Sequence, residues 1–249
     1  MYTDRPLLKG NARVIVKTAK PSLLTAAVIY LAVYALINYL STRVLGVNIT
    51  TEDAQRYMNY YMSGNYDALV SLADKLQPPA SAYLLNMLLG FVMNIVEAGL
   101  VIFIFNTVKN AGAVFGNLLD GFAHAGRLIL LFVLEGLFVF LWSLLLIVPG
   151  IIAAYRYRMA LYLLLENPDL GVMDCLKTSS RMMKGHKWEL FVLDLSFIGW
   201  YLLRAIPYLG WATMIWSEPY MKTTYVLYYL ALSGRPVIVN AGGNANPYQ

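Results

Sequence analysis

The sequence predicts an all-α, polytopic membrane helical bundle. It has about six transmembrane helices, cytoplasmic amphipathic helices and an internal repeat. Three observations predict it. Of the 249 residues, 59% are hydrophobic and 13% charged, where a soluble domain carries roughly 25% charged residues; mean hydropathy is +0.57. Several apolar runs approach the roughly 20 residues that cross a bilayer as a helix. The third observation is a self-similarity: Gly112 answers to Gly171, Gly126 to Gly185, and Leu131–Glu135 (LFVLE) to Leu190–Asp194 (LFVLD), each 59 positions on. Each copy joins a short amphipathic helix to an apolar helix with an acid near its start and a Pro/Gly corner at its end. Duplications of this kind build two-state transporters.

Residues 1–21 are a basic amphipathic segment assigned to the cytoplasm. Lys9, Arg13, Lys17 and Lys20 recur at i, i+4, i+8 and i+11, opposite Leu8, Ala12, Ile15 and Ala19. Such a helix suits an anionic lipid surface, where each cation contributes roughly 1 kcal/mol. The same charges also satisfy the positive-inside rule. The apolar run that follows exceeds the roughly 7–15 residues of a signal-peptide core and lacks a cleavage site, so it is expected to be retained.

Residues 22–233 read as one six-helix transmembrane domain. The first span is 22–45. Residues 46–81 form an outer capping loop: Thr50, Glu52 and Asp53 start a short helix, Gly64-Asn65 ends it and starts another, and Pro78-Pro79 closes it. The second span, 80–108, carries Glu97 deep inside. Residues 109–126 are an amphipathic helix whose Gly112 and Gly116 form a small-xxx-small pair suited to close helix approach. The third span, 127–148, carries Glu135, and Pro149-Gly150 turns the chain into a fourth, 151–165. Its Arg156 and Arg158 lie on different helical faces. They snorkel outward, or at most one turns in toward Glu97. Asn167-Pro168 then caps the second amphipathic helix, with Val172, Leu176, Ser179 and Met183 on its apolar face and Gly185 at its end. Cys175 lies in that helix as a small core-facing residue and excludes an internal disulfide framework. The fifth span, 188–206, carries Asp194 and Arg204. The sixth, 211–232, carries Glu218, Pro219 and Lys222. The repeat units are 112–166 and 171–232, and residues 234–249 are expected to be a disordered tail.

A charged group inside a span is expensive, so it faces the bundle interior and finds a partner. Glu97, Glu135, Asp194, Arg204, Glu218 and Lys222 form the candidate intramembrane polar network; Glu218 and Lys222, at i and i+4, are placed to neutralise each other. Lys9, Arg13, Lys17 and Lys20 are the candidate anionic-lipid contacts. The net charge of +5 is concentrated in particular segments with no nucleic-acid module. By the positive-inside rule both termini are cytoplasmic.

Some of these residues carry a family resemblance. Pro149-Gly150-Ile151-Ile152, the Tyr-rich helix, Glu166-Asn167-Pro168, Ser180, Met183-Lys184-Gly185, Leu195-Ser196-Phe197-Ile198-Gly199-Trp200 and Pro219-Tyr220 occur in that order. The chain resembles the bacterial integral-membrane family called domain of unknown function 975, from Gly10 to Leu232. It is distantly similar to the membrane domain of some bacterial glycerophosphodiester phosphodiesterases, but lacks their catalytic domain. The resemblance implies a multi-pass protein of the bacterial plasma membrane and transfers no catalytic residues.

No HExxH, GxSxG or paired-histidine motif is present, so no enzyme, no cofactor and no metal site is expected. The expected role is a non-enzymatic scaffold, regulatory or lipid-interacting component. Its expected partners are membrane lipids, with a homo-oligomer or a membrane-protein partner open. The alternative is a small-solute or ion transporter or channel using the intramembrane acids.

Overall fold

A computed structural model describes residues 4–45, 50–206, 209–235, 238–239 and 245–246. α-Helices carry the fold. The first is α1 (Arg5–Thr18), started by the Asp4 carboxylate, which accepts from the Leu7 N–H at 3.3 Å. Contacts divide the chain into two units, Val33–Met93 and the combination of Met1–Ala32 with Asn94–Gln249.

The smaller unit takes the end of α2 (Leu23–Leu45), α3 (Thr51–Met62), α4 (Tyr66–Leu76) and the start of α5 (Ala80–Val108). The polar interruption forms the two short helices its caps foretell. Thr50 Oγ1 accepts from the Asp53 N–H at 3.1 Å while the Asp53 carboxylate accepts from the Thr50 N–H at 3.0 Å, a reciprocal capping box. Gly64, at φ +67°, makes the left-handed turn between them, and Asn65 caps α4. The Ser41 hydroxyl donates to Asn86 Oδ1 and joins α2 to α5.

The larger unit is built around α12 (Leu209–Leu232). It runs unbroken through Pro219 and is buried at every position but one from Ser217 to Leu230. Along it pack α1, through Leu8, Ala12, Ile15 and Val16, and α11 (Ile198–Arg204). A 3₁₀ segment, Phe115–His124, lies on α5, where Phe103 and Phe115 stack at 5.8 Å. α6 (Ala125–Leu145) and α7 (Ile147–Tyr157) form a hairpin with only Leu146 between them. α8 (Ala160–Glu166) follows, then α9 (Val172–Met182), which packs on α6, α7 and α8. Its buried face is Val172, Cys175, Leu176 and Ser179, and Gly185 beyond it adopts φ +89°, as the sequence pattern predicts. α10 (Lys187–Leu195) leads into α11. In the tail expected to be disordered, Gly234 adopts φ +74°, Arg235 pairs with Glu166 and Ile238–Val239 pairs antiparallel with Ala245–Asn246; its other residues lie outside the described residues.

Among the described residues three helices are long and apolar enough to cross a membrane by length and composition: Leu23–Val44, Ala80–Val108 and Phe115–Leu145. The structure departs from the sequence reading in several places. α9 starts at Val172 with Gly171 as its N-cap, so Asn167 ends α8 and Asn167-Pro168 does not cap α9 as expected. The expected fourth and fifth spans are each broken, at Arg158-Met159 and at Ser196-Phe197. The chain turns at Leu146 rather than at Pro149, which sits in the first turn of α7, where its missing N–H costs no helical hydrogen bond. The first amphipathic segment is 3₁₀, and its close approach uses Gly121 rather than Gly112 and Gly116. A Cβ on Gly121 would lie 2.1 Å from the Ile95 carbonyl oxygen, and one on Gly99 2.0 Å from that of Leu118.

Candidate functional site: a polar cluster within the helical bundle

The broken fourth segment positions the cluster. Between α7 and α8 the Met159 N–H donates to Ser179 Oγ at 3.1 Å, and the Ser179 hydroxyl donates to the Arg156 carbonyl at 2.9 Å. One buried serine of α9 thus satisfies the backbone that the break leaves open. The break separates the two arginines. Arg156 lies over the Trp142 ring at 5.5 Å, and Arg158 over the Tyr225 ring at 5.4 Å.

Part of the predicted network lies near Arg158, itself an exposed residue. Its positive charge acts on Glu97, Glu135 and Tyr155, and the Asp194 charge acts on it in turn. Glu97 of α5 accepts from the Lys222 ammonium of α12. Asp194 accepts from Tyr225 at 2.6 Å and from Tyr155 at 2.9 Å. Arg204 donates to Glu218 at 2.7 Å and to Ser217 Oγ at 2.6 Å and 3.2 Å. Glu218 also lies within the electrostatic reach of Lys222. Glu135 has no direct ion pair among the described residues.

The partner exchange is the main difference from the sequence reading. Glu218 and Lys222 share a helix at i and i+4, yet each takes its ion pair from another helix. On the crowded core helix, Lys222 reaches α5 while Glu218 meets Arg204 just before the α11–α12 turn. Sequence reasoning singled out all six charged members and allowed one of Arg156 and Arg158 to turn toward Glu97; of the two, Arg158 is the one whose charge acts on Glu97 and Glu135, and the roles of Tyr155 and Tyr225 were missed. The available signal was the Tyr155-Arg156-Tyr157-Arg158 run inside an otherwise apolar segment.

The four N-terminal cations are placed as follows. Lys9 donates to Ser196 Oγ at 2.9 Å and to the Ser196 carbonyl at 3.2 Å, and lies over the Phe197 ring at 4.5 Å. It thus meets the backbone at the α10–α11 break, and burial, with Arg13 and Arg5 nearby, lowers its pKa. Arg13 lies over Tyr220 at 5.6 Å and Lys17 over Trp216 at 5.9 Å. Lys20 is exposed.

A second cluster closes one end of the bundle. Glu166, just past the expected fourth span, accepts from Lys109, from Tyr229 at 2.5 Å and from Arg235 at 2.6 and 2.7 Å. Burial alone would raise its pKa. The hydrogen bonds from Arg235, Lys109 and Tyr229, with the Lys109 charge, outweigh that and hold the carboxyl at about 2. Among the described residues no three or more His, Cys, Asp or Glu side chains come together as a metal site. Cys175 is buried, and burial pushes its thiol up.

A chain that is helical but for one short strand pair, with three long apolar helices among its described residues and a cluster of paired charges, is compatible with a membrane protein. Residues 16–236 match the family model described as "Protein of unknown function (DUF975)", and the chain belongs to that family. No curated protein and no solved structure matches it.

Proposed function

We propose that this chain is a multi-pass protein of the bacterial plasma membrane that acts as a non-enzymatic scaffold, regulatory or lipid-interacting component. In this reading it crosses the bilayer about six times. α2, α5 and α6 cross as single helices, α7 with α8 and α10 with α11 as broken spans, and α12 as the axis, with both termini cytoplasmic. The internal repeat belongs to the same reading. Offset by 59 residues, the 3₁₀ segment falls on α9, α6 on α10 with α11, and α7 with α8 on α12.

One observation carries the scaffold reading. Three acids of the cluster have partners within the chain: Glu97 pairs with Lys222, Glu218 pairs with Arg204, and Asp194 accepts hydrogen bonds from two tyrosine hydroxyls. A solute path needs polar groups left open for the solute, whereas a scaffold needs its charges satisfied. Native mass spectrometry of the purified protein in mild detergent tests it. A defined oligomer or a co-purifying protein, with only lipid retained, is the expected result. A monomer holding a stoichiometric small solute that is lost in Glu97→Gln would overturn it.

The transporter reading has its own support. Glu135, at the repeat position of Asp194, has no direct ion pair among the described residues and lies in the field of Arg158. Solute flux into proteoliposomes that is abolished by Glu135→Gln would establish it.

A further inference from the structure

We infer that the groove between α6, α7 and α9 is a binding site for one anionic phospholipid, its phosphate held by Lys177 and Arg181. The groove encloses about 560 Å³, within the roughly 300–1,000 Å³ of small-ligand sites. Its inner wall is apolar: Leu176 is buried, and Phe138 and Tyr157 face each other with ring centroids 5.8 Å apart. Its polar edge is Lys177, Ser180 and Arg181. The two cations stand one helical turn apart on α9 and are exposed. Arg181 spends one donor on Thr178 Oγ1 at 3.1 Å, and among the described residues Lys177 has only the exposed Asp174 at 3.8 Å. Both therefore keep donors for a phosphate, and the arginine offers the planar fork that suits one.

The surface beside this edge identifies the rest of the ligand. From Gly136 to Tyr155 the α6–α7 hairpin carries no charged residue. At its turn, Leu144, Leu145, Leu146, Ile147 and Val148 are between 64% and 78% exposed. A contiguous apolar surface of this kind requires a cover. Acyl chains running from Phe138 along the hairpin supply it while the phosphate stays on α9. Basic pockets beside apolar helix faces recognise anionic headgroups by this combination. The site is separate from the α1 cations, three of which lie on aromatic rings.

The inference rests on the membrane reading above only in taking the α6–α7 face as lipid-facing. Whether the protein moves a solute does not enter it, so the flux result and the lipid result stand apart. The test is native mass spectrometry of the detergent-solubilised full chain titrated with phosphatidylglycerol, with phosphatidylcholine and inorganic phosphate as comparisons. One phosphatidylglycerol per chain should bind in preference to phosphatidylcholine. Lys177→Gln with Arg181→Gln should weaken it roughly 30-fold, at about one surface charge's attraction for each cation. Lys177→Arg with Arg181→Lys should retain most of the binding, which guards against a folding defect. Unchanged phosphatidylglycerol binding in the double glutamine variant would overturn the site. Displacement by inorganic phosphate as effective as by the lipid would overturn the acyl component.

Discussion

Single residues decide where this chain can bend and where its helices can meet. Ser179 is fully buried and bridges the Met159 N–H and the Arg156 carbonyl. Ser179→Ala leaves a buried N–H unpaired, which costs about 1–3 kcal/mol. The expected outcome is a lower melting temperature in detergent, with Ser179→Thr intermediate. Gly121 and Gly116 form a sharper pair. A side chain at Gly121 meets the α5 backbone at 2.1 Å, whereas one at Gly116 meets only Val114 Cγ2 at 3.9 Å. Gly121→Ala should therefore separate the 3₁₀ segment from α5 and sharply reduce folded yield, while Gly116→Ala should leave it near wild type; size-exclusion chromatography of the two variants checks this. The sequence marked Gly112 and Gly116 because their spacing fits a helical face. In a 3₁₀ segment that spacing no longer defines a face, so the glycine in contact could not be read from the periodicity.

At the scale of elements, most caps and the amphipathic face of α9 were legible because they are local; the Asn167-Pro168 cap was not, because the chain makes a further turn before α9 starts after Gly171. Thr50 with Asp53, Asn65, Gly185 and the Val172, Leu176, Ser179 stripe need only neighbours a few residues away. The breaks in the fourth and fifth segments were not, since both depend on distant groups: Ser179 satisfies one, and Lys9, 187 positions before Ser196, meets the other. Lys9→Met should loosen α1 from the α10–α11 break and raise hydrogen exchange at Ser196 and Phe197, and unchanged exchange there would show that the contact is idle. The end of the bundle carries a pH prediction. Glu166 titrates at about 2 in the folded protein against an ordinary 4.5. Its contribution to stability is therefore complete above about pH 4.5 and is lost as the pH falls toward about 2. Acid unfolding of the wild type should show this limb, and Glu166→Gln should be less stable near neutral pH and lack it.

For the molecule as a whole, composition and apolar run length sufficed for the class, and the motif order sufficed for the family. The charged members of the cluster were legible because a charge in an apolar run stands out. Their pairing was not, because it depends on how α5, α7, α11 and α12 face one another around a shared core. Glu218 and Lys222, four residues apart, looked like partners and proved to serve different helices. In the scaffold reading these paired charges are structural, and a double-mutant thermal unfolding cycle on Glu97 and Lys222 in detergent checks that. Glu97→Gln and Lys222→Met should each destabilise, the methionine more because it leaves the half-buried Glu97 carboxylate without its cation, and the double variant should recover much of the loss. Single variants as stable as the wild type, or more so, would contradict the account, since stability gained on removing a charge marks a residue kept for activity rather than for folding.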